Sequence, residues 1–180
     1  GRCSDVLPPG DDRLLAVLGM DVDAERDVLW VASATAPFMR DAASAKAGET
    51  RLSRIDLATG RVLASYAPAN AGLLNDLDLL PDGRVAVTHS VAGTVYLLDP
   101  TDAVPSLKPL LAAGSFEGPN GIVALPDGQL VVTDFHALWL IDPSAPAPMR
   151  KRRINTPGGR YLGGMDGLAR NGEHIVAIQN

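Results

Sequence analysis

Short apolar runs separated by turn residues recur along the chain. Residues 74–80 are mostly apolar, Pro81-Asp82-Gly83 follows them, and residues 85–87 are apolar again. Because an Asp-Gly pair tolerates the positive φ of a tight turn, two apolar runs on either side of it form an antiparallel hairpin. The pattern therefore predicts short β-strands joined by tight turns.

The same pattern returns at a fixed distance. Residues 74–88 match residues 119–133 without a gap, at an offset of 45 residues. A weaker third copy covers residues 165–178, and a fourth begins at Gly19. A repeat of this length indicates an array of similar structural units, and it takes precedence over local propensity in deciding the fold.

A second landmark, an apolar residue followed by aspartate, recurs every 43 residues at Asp56, Asp99 and Asp142. It closes a predicted third strand of each unit, for example residues 94–98 and 137–141. A short fourth strand is predicted to follow, for example at residues 108–111 and 150–155. Each unit is therefore expected to contain four antiparallel strands.

Four antiparallel strands in a unit of about 45 residues are typical of a β-propeller blade, because such a sheet buries both faces only when neighbours stack around an axis. We predict an all-β fold, a β-propeller of four-stranded blades. A β-sandwich explains the sequence less well, since sandwiches do not normally repeat their sequence. Only 4% of the residues are aromatic, so Val, Leu and Ala should fill the space between blades, with Trp30 and Trp139 as bulky exceptions.

Together, the units in these 180 residues form one partial propeller. Its predicted blades cover residues 14–70, 73–112, 117–157 and, incompletely, 163–180. About three and a half blades of an expected six are thus present, whereas a closed ring needs at least four. We expect the missing blades to come from the rest of a longer chain or from a partner chain.

Composition excludes some classes of function. The net charge of −5 argues against a nucleic-acid partner, which needs a basic surface to neutralise phosphates. No apolar run approaches the ~18 residues of a membrane span. A single cysteine, Cys3, forms no internal disulfide and leaves the compartment open, with a periplasmic or extracellular location favoured over a cytoplasmic one.

Three short motifs open successive units: Asn75-Asp76, Pro119-Asn120-Gly121 and Met165-Asp166-Gly167. With the Pro-Asp-Gly turns, they resemble motifs of the SMP-30/gluconolactonase/LRE-like family of six-bladed β-propellers, over about residues 20–180. The resemblance implies a divalent metal, commonly Ca²⁺, at the central channel, and a pocket for a lactone or related ester substrate. By position, Asn120 and Asp166 resemble the family's metal ligands, and Asn75 resembles the residue that touches metal-bound water or substrate.

One ligand of that family has no counterpart here. Its acidic residue from the first blade would lie upstream of Gly1, and Met20 occupies the matching position of the intervening blade. The resemblance thus implies Asn75, Asn120 and Asp166 as the metal ligands, and Asn75 and Asp166 also as residues that take part in catalysis.

The chemistry of these residues is compatible with that prediction. Amide and carboxylate oxygens are hard donors suited to Ca²⁺ or Mg²⁺, and a bound metal could polarise the carbonyl group of a lactone or ester. Residues that open the first strand of successive blades should converge at one end of one channel. Alternatively, each side chain only caps the turn into its strand by binding local backbone.

Two further residues should lie near this end of the channel, because the second strand of each hairpin runs back towards it. His89 and Asp134 occupy matching positions of two repeats, and either could accept a proton as a catalytic base. A histidine at such a rim is, alternatively, an ordinary hydrogen-bonded surface group.

The sequence therefore predicts a metal-dependent hydrolase of the lactone or ester type. The alternative is a non-catalytic β-propeller that serves as a protein-binding or accessory subunit. The basic run at residues 150–153 falls on a predicted outermost strand, where a solvated, charged edge explains it without an anionic partner.

Overall fold

A computed structural model describes residues 5–7, 14–37, 46–160 and 162–179 of the chain. In these residues the regular structure is almost entirely β. Three sheets contain four antiparallel strands and one contains two, and within each sheet the strands pair in the order in which they occur in the sequence. No helix in these segments has the length and apolar character needed to cross a membrane.

Each sheet is one blade. The strands of blade 1 are β1 (Ala16–Asp23), β2 (Val28–Ala34), β3 (Thr50–Asp56) and β4 (Val62–Tyr66). The strands of blade 2 are β5 (Leu74–Leu79), β6 (Val85–His89), β7 (Thr94–Leu98) and β8 (Lys108–Pro109). The strands of blade 3 are β9 (Ile122–Ala124), β10 (Leu130–Thr133), β11 (Leu138–Ile141) and β12 (Lys151–Arg153). The strands of blade 4 are β13 (Met165–Asn171) and β14 (His174–Gln179).

Short 3-10 helices occupy Ala147–Met149 and Pro157–Gly159 in the connections around β12. The predicted third strand at residues 94–98 has the expected bounds, and the one at 137–141 begins one residue later. The fourth strands are shorter than predicted, with two residues in β8 and three in β12. The fourth strand of blade 1, β4, is longer, with five residues.

The Pro-Asp-Gly turns form as the sequence predicts. Gly83 and Gly128 have φ values of 85° and 83°, a region that only glycine enters without strain. Each glycine donates its N–H to the carbonyl of the leucine three residues earlier, at 2.9 Å. The same turn in two repeats gives blades 2 and 3 the same register between first and second strands.

The blades converge at their first strands. β1 contacts β5, β5 contacts β9, and β9 contacts β13. Among the described residues, no comparable contacts join the fourth strands of neighbouring blades. Sheets that meet along their first strands and separate at their fourth strands are arranged like propeller blades around an axis.

The core lies between blades, in layers formed by the two faces of each sheet. On β6, Val85 and Val87 pack towards blade 1, where they meet Trp30, whereas Ala86 packs towards Ile122 of blade 3. Val131 belongs to a third cluster, against which Leu168 of blade 4 packs. Successive residues of a strand thus pack against opposite neighbouring blades, as expected for a sheet that is buried on both faces.

Candidate functional site at the inner rim

The three predicted ligands lie at one end of the first strands. Asn75 and Asp166 are the second residues of β5 and β13, and Asn120 lies two residues before β9. We call this end of the channel the inner rim. Asn75 and Asn120 are partly buried, and Asp166 is exposed.

Asn120 and Asp166 are in direct contact although they lie 46 residues apart. The amide nitrogen Nδ2 of Asn120 donates a hydrogen bond of 2.6 Å to the carboxylate Oδ1 of Asp166. This bond joins blades 3 and 4 at the inner rim. The prediction that repeat-related side chains converge there is fulfilled for this pair.

Asn75 joins the same rim through an intermediate residue. Its Nδ2 donates to the hydroxyl of Ser90 at 3.1 Å, and that hydroxyl donates to the carbonyl of Pro119 at 2.7 Å. Asn75 is thus connected to the residue before Asn120 rather than to the Asn120 side chain itself. Ser90 is a rim residue that the sequence reasoning did not identify.

Threonines of the preceding blade hold the backbone beside every predicted ligand. Thr50 Oγ1 accepts the N–H of Leu74 at 2.9 Å, and Thr88 Oγ1 donates to the Asn120 carbonyl at 2.7 Å. Thr133 Oγ1 donates to the Met165 carbonyl at 3.0 Å. Thr88 and Thr133 close the two best copies of the repeat, so the sequence did contain a signal for this role.

Two aspartates of β5 bridge blades 2 and 3 just below the rim. The Asp76 carboxylate accepts the N–H of Ile122 at 3.1 Å, and the Asp78 carboxylate accepts the N–H of Ala124 at 2.7 Å. Burial raises the pKa of each carboxyl to about 6, and the nearby carboxylate of Asp21 adds to both shifts. The Asp166 carboxylate also contributes to the raised pKa of Asp76, so negative charge accumulates along the first strands.

His89 is fully buried at the end of β6. Its Nδ1 accepts the N–H of Ala92 at 2.9 Å, which places the proton of the neutral ring on Nε2. A Cβ atom at Gly72 would lie 2.1 Å from the ring Cε1, so Gly72 is what allows the ring to pack there. Burial lowers the pKa of this imidazole.

Asp134, at the matching position of blade 3, makes the same kind of contact. Its Oδ1 accepts the N–H groups of His136 and Ala137, both at 2.9 Å. His89 and Asp134 therefore both accept the amide three residues later and fix the turn between second and third strands. Their predicted catalytic roles stay predictions, since these contacts describe only how the turns are held.

A histidine–carboxylate pair joins the loop before β9 to the turn after β10. His136 Nε2 is 2.8 Å from Glu117 Oε2, and both side chains are largely exposed. Glu117 lies three residues before Asn120, and His136 lies three residues after Thr133. Both residues therefore lie in loops next to the inner rim. His136 has no histidine counterpart in the neighbouring repeat, where Val91 occupies the matching position, so the repeat pattern contains no signal for this pair.

The donor set fits a hard cation. In both asparagines the contacts above use the amide nitrogen, so Oδ1 is the atom suited to a cation, together with the carboxylate of Asp166. Within the described ranges, no three His, Cys, Asp or Glu side chains form a metal-binding group. A cation at this rim would therefore be held by one carboxylate and amide oxygens, a donor set that suits Ca²⁺ rather than zinc.

The comparisons with known proteins support the fold. No protein-family model matches the chain, and no curated protein matches it. The resemblance to the SMP-30/gluconolactonase/LRE-like family therefore stays a prediction, while solved structures with the same architecture do exist.

Three solved structures illustrate this likeness. A catalytically inactive H270A virginiamycin B lyase from Staphylococcus aureus, with quinupristin, is 17% identical with a TM-score of 0.64, over 94% of this chain and 51% of that one. A protein of unknown function from Bacteroides thetaiotaomicron is 12% identical with a TM-score of 0.67, over 91% and 44%. The β-propeller domain of Cps50 from Myceliophteria thermophila is 13% identical with a TM-score of 0.54, over 89% and 47%.

These matches confirm the predicted fold class, an all-β protein built of β-propeller blades. At identities this low the likeness extends to the fold alone. The chain spans about half the length of each matched structure. The number of blades in the complete ring and the source of the remaining blades stay predictions.

Proposed function

We propose that the protein is a metal-dependent hydrolase of lactones or esters, with its site at the inner rim. The observation that supports this proposal best is the contact between Asn120 and Asp166, which brings an amide and an exposed carboxylate from two blades together. A β-propeller enzyme exists among the structural neighbours, the virginiamycin B lyase, so the architecture is compatible with catalysis.

Asp166, Asn120 and Asn75 would hold the cation through their oxygen atoms. When bound, a divalent cation supplies Lewis-acid polarisation of the carbonyl that is attacked. The negative charge contributed by Asp76 and Asp78 favours a cation nearby. Asp166, oriented by the Asn120 amide, is the exposed carboxylate that would take the proton of the attacking water.

The test compares two aspartates of similar chemistry. Asp166→Asn removes the rim carboxylate, whereas Asp127→Asn changes an exposed turn aspartate whose Oδ1 accepts the N–H of Gln129 at 3.1 Å. We expect Asp166→Asn to weaken Ca²⁺ binding by about tenfold or more, because a charged ligand is lost. Lactone opening should fall in parallel, and Asp127→Asn should change neither quantity.

Calorimetry with Ca²⁺ and a lactone-opening assay measure the two effects. Absence of Ca²⁺ binding in the unmodified protein contradicts the metal site. Ca²⁺ binding without hydrolysis of any lactone or ester contradicts the enzyme and leaves a structural cation.

A non-catalytic propeller is the second candidate. The observation that favours it is that Asn75, His89 and Asp134 all make hydrogen bonds that fix rim loops. Such a protein would present the rim to a partner. Co-purification of the protein with a stable partner, in the absence of hydrolysis, would support it, and a monomer with no partner would contradict it.

A further inference from the structure

The four basic residues at positions 150–153 differ in their contacts and in their exposure. Arg150 donates to the carbonyls of Ala145 and Leu110, at 3.1 and 2.7 Å. The ammonium of Lys151 lies 4.0 and 3.6 Å from the ring centroids of Phe116 and Trp139. These two residues serve packing rather than a solvated edge, which leaves Arg152 and Arg153 as the exposed pair.

Arg153 lines a cavity of about 220 Å³ at the end of blade 3 where β11 begins and β12 ends. Its guanidinium donates to the carbonyl of His136 at 3.4 Å, so the side chain points towards the turn between β10 and β11. Arg160 also lines the cavity. Among the described residues, neither guanidinium takes part in an ion pair with a carboxylate.

The loop after β12 brings the two arginines to one cavity. Ile154 continues the strand ladder by donating its N–H to the Leu138 carbonyl at 2.9 Å. The 3-10 helix Pro157–Gly159 follows, and Thr156 Oγ1 donates across it to the Arg160 carbonyl at 2.8 Å. The loop is therefore closed by its own hydrogen bonds, which fixes where Arg160 lies.

The remaining cavity wall is mixed. Ala137, Ile154 and Leu162 supply apolar surface, and Asn155 and Thr156 supply polar groups. Guanidinium groups recognise carboxylates and phosphates through paired N–H donors. Most of the lining is polar, and its smaller apolar part gives a carboxylate with a short hydrocarbon body a contact that inorganic phosphate lacks. The volume lies below the ~300–1,000 Å³ of pockets for drug-sized ligands.

We propose that this cavity binds a small organic carboxylate, with its charged group at Arg153 and Arg160 and its apolar body against Ala137, Ile154 and Leu162. The proposal does not depend on the hydrolase function, because the cavity lies beside the third and fourth strands of blade 3 and not at the first strands.

Calorimetric titration with benzoate tests the site, in a chelating buffer so that the proposed metal site has no influence. We expect benzoate to bind and the uncharged benzamide to bind about tenfold or more weakly. Arg153→Gln and Arg160→Gln should each weaken benzoate binding by about tenfold, since each loses a charge-assisted hydrogen bond.

Arg152→Gln is the matched control, because Arg152 is the preceding residue of β12 and its side chain belongs to the opposite face of the strand. It should leave benzoate affinity within about twofold. Equal losses in Arg152→Gln and Arg153→Gln would overturn the site in favour of diffuse electrostatic attraction. Tighter binding of inorganic phosphate than of benzoate, or no binding of benzoate, would also overturn it.

Discussion

Blade 2 contains two aspartates with similar hydrogen bonds and opposite pKa shifts. The Asp78 carboxylate accepts two backbone amides, those of Leu79 and Ala124, both at 2.7 Å. The Asp99 carboxylate accepts the N–H and the hydroxyl of Thr101, at 2.9 and 2.6 Å. Yet the pKa of Asp78 is raised to about 6, while the pKa of Asp99 lies below its ordinary value.

The difference lies in solvation and in the neighbouring charge. Burial between blades disfavours the charged form of Asp78, and Asp21 adds a second carboxylate beside it. Asp99 lies on the outer turn, where burial counts for less and the hydrogen bond from the hydroxyl of Thr101 is the largest influence on its pKa. For these two aspartates the count of hydrogen bonds therefore does not decide the direction of the pKa shift, whereas burial and a neighbouring carboxylate do.

The largest expected effect is on the free energy of unfolding, which should depend more on the contacts between blades than on the outer turns. Thr88→Val removes a fully buried hydroxyl that accepts the Asp76 N–H at 3.0 Å and donates to the Asn120 carbonyl. Leaving these backbone groups without a partner should lower the free energy of unfolding by about 2 kcal/mol. Urea denaturation measures this change.

Thr101→Val is the matched control on the outer turn, where water replaces the lost hydroxyl. It should alter the unfolding free energy far less than Thr88→Val. Equal effects of the two substitutions would mean that the contacts between blades contribute no more than the surface turns.

An intermediate effect concerns pH. Because the folded-state pKa of Asp78 is raised to about 6, the stability contributed by its protonation is fully present below pH ~4 and is lost as pH rises through about 6. Asp21→Asn removes the neighbouring carboxylate and should lower the pKa of Asp78.

Carboxyl chemical shifts measured between pH 3 and pH 8 follow Asp78 directly in the unmodified protein and in Asp21→Asn. The loss of stability between pH 5 and 7 should be smaller in the variant. An unchanged Asp78 titration in Asp21→Asn would show that burial alone sets its pKa.

The smallest expected effect concerns the pKa of Asp99 on the outer turn. Thr101→Val should raise the pKa of Asp99 towards its ordinary value, because the hydroxyl of Thr101 is the largest cause of the lowering. The same NMR titration measures this shift. The titration of Asp78 should not change, and a shift there would mean that the inner and outer aspartates are electrostatically linked.

The sequence predicted the blades because each hairpin is a local structure with its own turn signal. The turns at Gly83 and Gly128 are determined by a glycine that tolerates positive φ, and the alternation of apolar residues determines which face each blade presents. The fourth strands were predicted less well, since β8 and β12 are short and depend on few neighbours.

The site was predictable only where the repeat itself contained it. The contact between Asn120 and Asp166 follows from two residues at matching positions. The roles of Ser90 and Glu117 could not be predicted, because their contacts join different loops. A repeat in the sequence gives no information on such contacts. Arg153 and Arg160 were likewise out of reach, since their shared cavity depends on the path of an irregular loop.

Blades 2, 3 and 4 each present one polar side chain at the inner rim, Asn75, Asn120 and Asp166, while the strand ladders that hold each blade together lie behind it. A change of one codon at such a position exchanges a donor atom and leaves every ladder intact. New chemistry can therefore arise at this end of the channel by separate single steps, with the backbone serving as an unchanged frame.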